Sequence, residues 1–192
     1  EISLKEQIKY QDLYGQWYEK HKQYLHALNY YGQAENYDSV LRVIEKDAGI
    51  LLSAMKPDVL LSGLRNCSNE VLKDHPLAIL VLMRRLFTWR RIPEMLELKE
   101  LLVTSVAEHP DLPADEKGNL LGECDLIMSF LMYNDITEMS RLHRSASRQM
   151  TRSAVTIRNV GSWTFGSPSV LMMYYRAAGE LEKEMAEMND CM

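Results

Sequence analysis

The sequence predicts an all-α protein of antiparallel helix pairs stacked as a solenoid, and three observations carry that prediction. Leu, Met, Glu, Lys, Arg and Ala are plentiful, whereas Gly (9), Pro (6) and Phe (3) are sparse among the 192 residues, a balance that favours helix. Apolar residues recur at helical spacing and strand-like alternation is almost absent. Pro, Gly and Asn-Asp interrupt the pattern at short intervals, so successive helices have short connections and pack as neighbours.

Taken in order, the first helix is expected over 4–20, with Leu4, Ile8, Tyr14, Trp17 and Tyr18 toward one side. A second covers 24–34 and a third 37–48, separated at "KHKQ" and at "AENYD", where Asp38 is the expected cap. Shorter helices follow, stopped near Pro57, at 66–69 and before Pro76. "PLAILVLMRRLFTWRR" reads as a buried helix; Pro93 then opens "PEMLELKELLVTSVAEH", where proline is tolerated in a first turn. A further pair is "PADEKGNLLGECDLIMSFLMYN" and "ITEMSRLHRSASRQM", with Asp115 and Glu116 suited to the positive end of a helix. Gly161, Gly166 and Pro168 make 151–168 an ordered loop, and a last helix follows in "SVLMMYYRAAGELEKEMAEM". One helical-repeat domain over 1–192 is expected. Because the chain begins with Glu and ends in "MAEMNDCM", it reads as part of a larger multidomain protein.

Residues 15–34, "GQWYEKHKQYLHALNYYGQA", sharpen the solenoid prediction. Gly15 is followed three residues on by Tyr18, and Ala27 four residues on by Tyr31, with Ala34 at a further small position. This small-then-aromatic spacing resembles a tetratricopeptide unit, 34 residues long. Small residues let two helices approach and the tyrosines fill the adjacent gaps. The match is partial, with Gln11, Tyr14 and Ser39 at consensus positions that usually hold other residues; one period on, Gly49 and Leu52 keep register while Leu61 and Arg65 do not. The predicted architecture is thus a tetratricopeptide-like superhelical solenoid, which buries its core by stacking and leaves a concave face for binding.

Three stretches extend the resemblance: "WYEKHKQYLHALNYYGQAENYDSVLRVIEK", "HPLAILVLMRRLFTWRRIPEMLELKELL" and "WTFGSPSVLMMYYRAAGELEKEM". They are similar to the helical region of the large ATP-dependent transcriptional regulators of the LuxR family, the class represented by the bacterial maltose regulator. The resemblance implies a nucleotide-binding module before this region, a sensing arm within it, and a DNA-binding helix-turn-helix after it. It also implies a small-molecule inducer or protein partner for the arm, with DNA contacted only through a C-terminal domain outside this chain. The runner-up is a freestanding tetratricopeptide-like adaptor for other proteins.

A net charge of -5 argues against general affinity for DNA or anionic membrane, which depends on clustered Lys and Arg. The longest apolar run, 77–83, falls far short of the roughly 20 residues that span a bilayer. With no signal-peptide pattern and three scattered cysteines (Cys67, Cys124 and Cys191), a cytoplasmic location with reduced thiols is expected. Self-association is allowed by this reading.

No P-loop pattern occurs, so no cofactor is expected in this fragment. His21, His26, His75, His109 and His143 lack zinc-ligand spacing, and neither Cys67 nor Cys124 has a nearby His to activate it. Neither metal nor catalytic residues are therefore expected, and His75 and His109, each before a proline, read as loop residues. Glu94, Glu97 and Glu100 read as a solvated helix face.

Two features are candidates for ligand or partner contact. Arg141, Arg144, Arg148, Arg152 and Arg158 form an arginine-rich stretch without acids, and Arg144 and Arg148 share a helix face. They could meet an acidic neighbour, a phosphorylated inducer or nucleic acid, although a solvated or salt-bridged face is the simpler reading. In "VGSWTFGSPS" and the helix after it, Trp163, Phe165, Tyr174 and Tyr175 either anchor the loop or line a pocket.

Overall fold

The structure, a computed structural model, describes residues 3–132, 135–157 and 181–190. Among these, regular structure consists of α-helices and two 3-10 turns at Leu51–Ala54 and Phe130–Met132. The chain divides into two compact units, Glu1–Pro110 and Asp111–Met192.

The first unit holds α1 (Leu4–Lys20), α2 (Tyr24–Gln33), α3 (Tyr37–Asp47), α4 (Pro57–Asn66), α5 (Asn69–Lys73), α6 (Pro76–Thr88) and α7 (Ile92–Glu108). Ser3 begins α1 with a reciprocal cap: its Oγ accepts the Glu6 N–H, and the Glu6 carboxylate accepts the Ser3 N–H. Helix α1 packs on α2, α2 on α3, and α6 on α7.

Three of the helix connections in this unit have the same conformation. Lys22, Glu35 and Arg90 each take a left-handed φ, of 58°, 54° and 58°. In each turn the left-handed residue donates its N–H to a carbonyl three residues back, and the next residue donates to one five back. That next residue, Gln23, Asn36 or Arg91, then leads into a helix with ψ between 64° and 75°. The pattern is a Schellman ending, built here on exposed Lys, Glu and Arg where glycine is usual.

The small-then-aromatic spacing of 15–34 forms the α1–α2 contact. Gly15 is buried under Tyr31, which is fully buried along with Ala27; a Cβ on Gly15 would lie 2.6 Å from two carbons of the Tyr31 ring. Tyr18 stacks on Tyr30 with ring centroids 5.2 Å apart. The rest of the expected α1 stripe stays in water: Leu4, Ile8, Tyr14 and Trp17 are exposed, because α1 packs mainly on α2 alone.

Residues 78–83 of α6 are all buried, and with Leu86 and with Met95, Leu102 and Val106 of α7 they form the core of the hairpin. The connection after α3 carries Ala48 and Gly49 with left-handed φ, and the missing Cβ of Gly49 is the space taken by a Val81 methyl. Asn36, rather than the expected Asp38, caps α3, accepting the Ser39 N–H at 3.1 Å. Asp38 lies inside the first turn, where it is free to reach a different partner.

The second unit contains α8 (Ala114–Ser129), α9 (Ile136–Gln149) and α10 (Leu181–Asp190). Gly118 and Gly122, one helical turn apart in "GNLLG", let the end of α9 approach α8. A Cβ at Gly118 would sit 2.6 Å from the Gln149 carbonyl oxygen, and one at Gly122 would meet Met150. Two buried polar residues of the same helix hold the chain beyond α9. Asn119 Oδ1 accepts the Thr151 N–H at 2.7 Å, and the fully buried Glu123 accepts from Arg152 at 3.3 Å and from the Thr156 N–H. Residues 151–157 are non-helical, as expected; the rest of the expected loop, and 169–180 of the expected last helix, lie outside the described residues.

Candidate functional site

The first unit contains a groove of about 350 Å³ between α2, α3 and α4. Helical spacing assembles its walls. Leu28, Asn29, Gly32 and Gln33 present one face of α2, and Tyr37, Val40, Leu41 and Ile44 one face of α3. Val59, Leu60, Gly63, Leu64 and Cys67 face them from α4 and its end, with Ser62 and Asn66 beside them. The floor is core: Leu28, Leu41, Ile44 and Leu60 are buried. Asn29, Gly32, Gln33, Ser62 and Asn66 are exposed and make a polar rim.

Two properties separate this groove from ordinary packing gaps. None of its lining residues is charged, although charged residues are 26% of the chain. Gly32 and Gly63 stand on opposite walls, and a Cβ on either would meet nothing within 4 Å. Glycine in a helix costs about 1 kcal/mol relative to alanine, and at these positions no neighbour in the chain requires it. A second hollow of about 490 Å³, between α4, α5 and α7, contains Arg65, Glu94 and Glu97 among leucines and is of mixed character.

The walls are held by two polar connections. On one side Tyr31 donates its hydroxyl to Glu19 at 2.7 Å, and Arg42 and Lys46 of α3 reach the same carboxylate at 2.9 and 2.6 Å. Burial acts to raise the Glu19 carboxyl, but the hydrogen bonds from Arg42, Lys46 and Tyr31 outweigh it and bring it down to about 2. On the other side His75 links α3 to the start of α6. Its Nε2 lies 3.0 Å from Asp38 and its Nδ1 3.3 Å from Glu45, whose second oxygen accepts the Ala78 N–H. With a carboxylate at each ring nitrogen, only the imidazolium can donate to both. The hydrogen bond to Glu45, opposed by burial and reinforced by Asp38, raises the ring above its usual value. His75 does lie between helices, as expected, but it is buried.

The sequence candidates fall elsewhere. Trp163, Phe165, Tyr174, Tyr175 and Arg158 lie outside the described residues. Arg144 pairs with Glu187 at 3.0 Å, Arg141 with Glu138 at 2.8 Å, and Arg152 with Glu116 at 2.6 Å; Arg148 is exposed on α9. Three arginines of this stretch therefore meet carboxylates of the chain itself. The groove went unread in the sequence because its walls come from three helices, although Gly32 and Gly63 inside otherwise helical segments were a usable signal.

Cys67 and Cys124 are buried, and burial pushes the Cys67 thiol up, away from the reactive thiolate. Ser129 Oγ lies 3.1 Å from His143 Nε2, but its hydroxyl donates to the Leu126 carbonyl at 2.7 Å. It therefore faces the ring as an acceptor, the reverse of an activated nucleophile. Among the described residues, no group of three His, Cys, Asp or Glu side chains is placed to hold a metal ion, and no helix is long and apolar enough to cross a membrane.

In comparison with known proteins, the chain matches no family model, no curated protein and no solved structure.

Proposed function

We propose that this chain is a non-catalytic, tetratricopeptide-like sensing arm that binds a small-molecule inducer or a protein partner in the groove between α2, α3 and α4. The observation that carries the reading is the uncharged groove itself, with a glycine left open on each wall. Binding pockets are concave and mostly apolar, with a few polar groups at the margin. In the first unit, the Gly15–Tyr31 contact and the repeated turn conformation support the repeat-like part of the reading.

By its sequence resemblance, the arm belongs to a LuxR-type transcriptional regulator, with the ATPase and DNA-binding modules outside this chain. Its mechanism is a population shift: a ligand that contacts α4 and the α2–α3 wall together favours the arrangement in which both can touch it.

Thermal-shift screening of metabolites and short peptides against the chain tests the binding claim. A ligand at a hundred times its Kd contributes about 2.7 kcal/mol, and so raises Tm by roughly 5–10 °C for a chain of this size. No shift with any compound, in the chain or in its full-length parent, would sink the claim. A reading frame that runs into a P-loop upstream and a helix-turn-helix downstream supports the regulator; a frame that encodes this chain alone removes it.

A further inference from the structure

We infer that the ligand of this groove is a small uncharged amphiphile, with an apolar body and one neutral hydrogen-bonding group. This rests on reading the groove as the binding site of the arm, and goes on to name the chemistry it selects.

Charge is the first discriminator. An ionised ligand entering the groove would leave water and find no charged side chain in the lining, a penalty of several kcal/mol for an unpaired ion. Asn29, Gln33 and Asn66 instead offer carboxamides at the rim and Tyr37 a hydroxyl, while Ser62, whose hydroxyl donates to the Val59 carbonyl at 2.9 Å, adds an acceptor. The carboxamides and the Tyr37 hydroxyl both donate and accept, which suits an alcohol, ester or amide. Behind them Val40, Leu41, Ile44, Val59 and Leu60 supply the apolar surface.

Size and shape are the second discriminator. A volume of about 350 Å³ lies at the lower end of the range for small-molecule sites, ~300–1,000 Å³. Gly32 and Gly63 line the groove from α2 and from α4. Because a Cβ at either position meets nothing within 4 Å, larger side chains there are expected to narrow the groove without displacing the core.

The test uses the 192-residue chain and the neutral fluorophore N-phenyl-1-naphthylamine, displaced in turn by 1-decanol, decanoate and decyltrimethylammonium. The expected result is fluorophore binding, with decanol displacing it at least about tenfold better than either ion. A Gly32→Leu/Gly63→Leu variant, shown by circular dichroism to remain helical, should bind at least about tenfold more weakly. Asn66→Lys, at the exposed rim, should bring decanoate to within about threefold of decanol, and it tests the site even where the leucine variant does not fold.

Equal displacement by the ions and the alcohol overturns the ligand class while leaving the groove as a binding site. Absence of fluorophore binding, or unchanged binding in a folded leucine variant together with no effect of Asn66→Lys, overturns the inference altogether. In that case a hit in the thermal-shift screen still leaves the arm as a binding module, with its site elsewhere.

Discussion

Gly15 lies so close to Tyr31 that the first carbon of any side chain would stand 2.6 Å from the ring. Helix propensity favours Gly15→Ala by about 1 kcal/mol, but the ring is fully buried and bonded to Glu19. We therefore expect a net loss of about 1–3 kcal/mol from overpacking. Urea denaturation of the single variant decides it: a stabilised Gly15→Ala protein would mean that α1 and α2 are not held at this distance.

The left-handed turns predict the opposite sign. Lys22, Glu35 and Arg90 are exposed and occupy a conformation that costs a non-glycine residue about 1–2 kcal/mol. Glycine at each position gives back part of that gain through the unfolded chain, so an increase of up to about 1 kcal/mol per turn is expected. Additivity across three well-separated sites is the check.

Acid stability should depend on Glu19. Its carboxyl titrates at about 2 in the folded chain, against a reference value of 4.5. A lowered folded value means that its contribution is present above pH 4.5, declines as pH falls below it, and is gone near pH 2. Glu19→Gln should thus lower stability at pH 7, by about 1–2 kcal/mol, and flatten the fall between pH 4.5 and 2. An unchanged acid limb in the variant would remove Glu19 from this role.

His75 acts at the other end of the scale. Its folded value is raised above the reference 6.5, so its contribution is complete below that pH and fades as pH rises through the folded value. Stability is expected to fall from pH 6.5 upward, with His75→Gln weaker at pH 6 and flatter across the same window. The titration of the His75 ring protons by NMR reports the direction independently of unfolding.

In the second unit, Arg152 neutralises a carboxylate that has no exposure of its own. Arg152→Met should cost about 3 kcal/mol by leaving Glu123 buried and unpaired. Adding Glu123→Gln should recover much of this, because the amide oxygen still accepts the Thr156 N–H. Equal stability of single and double variants would contradict the pairing.

Much of this fold was legible because helix boundaries are local events. Proline at 57, 76 and 93 stops or starts helices at or within a residue of the expected places, and the spacing of Gly15 and Tyr31 reports a real contact. The capping of α3 was misplaced by two residues, since Asp38 turned out to serve His75, 37 residues away. The turns at Lys22, Glu35 and Arg90 were hidden for a related reason: long polar residues do not advertise a left-handed backbone as glycine does. The groove was least legible of all. It depends on where α4 stands against α2 and α3, and no periodicity within one helix encodes that distance.

Gly32 and Gly63 have a consequence for how this sequence can drift. Replacing either with alanine removes a helix-weakening residue without a clash, so selection for stability alone would discard both within ordinary neutral variation. On the proposed reading of the groove, a lineage that binds there should keep both, whereas one that does not should accumulate alanine there first. The proposal can therefore be read at two codons: persistence of both glycines among relatives, set against free variation at neighbouring exposed helix positions, would support a use for the groove without any ligand in hand.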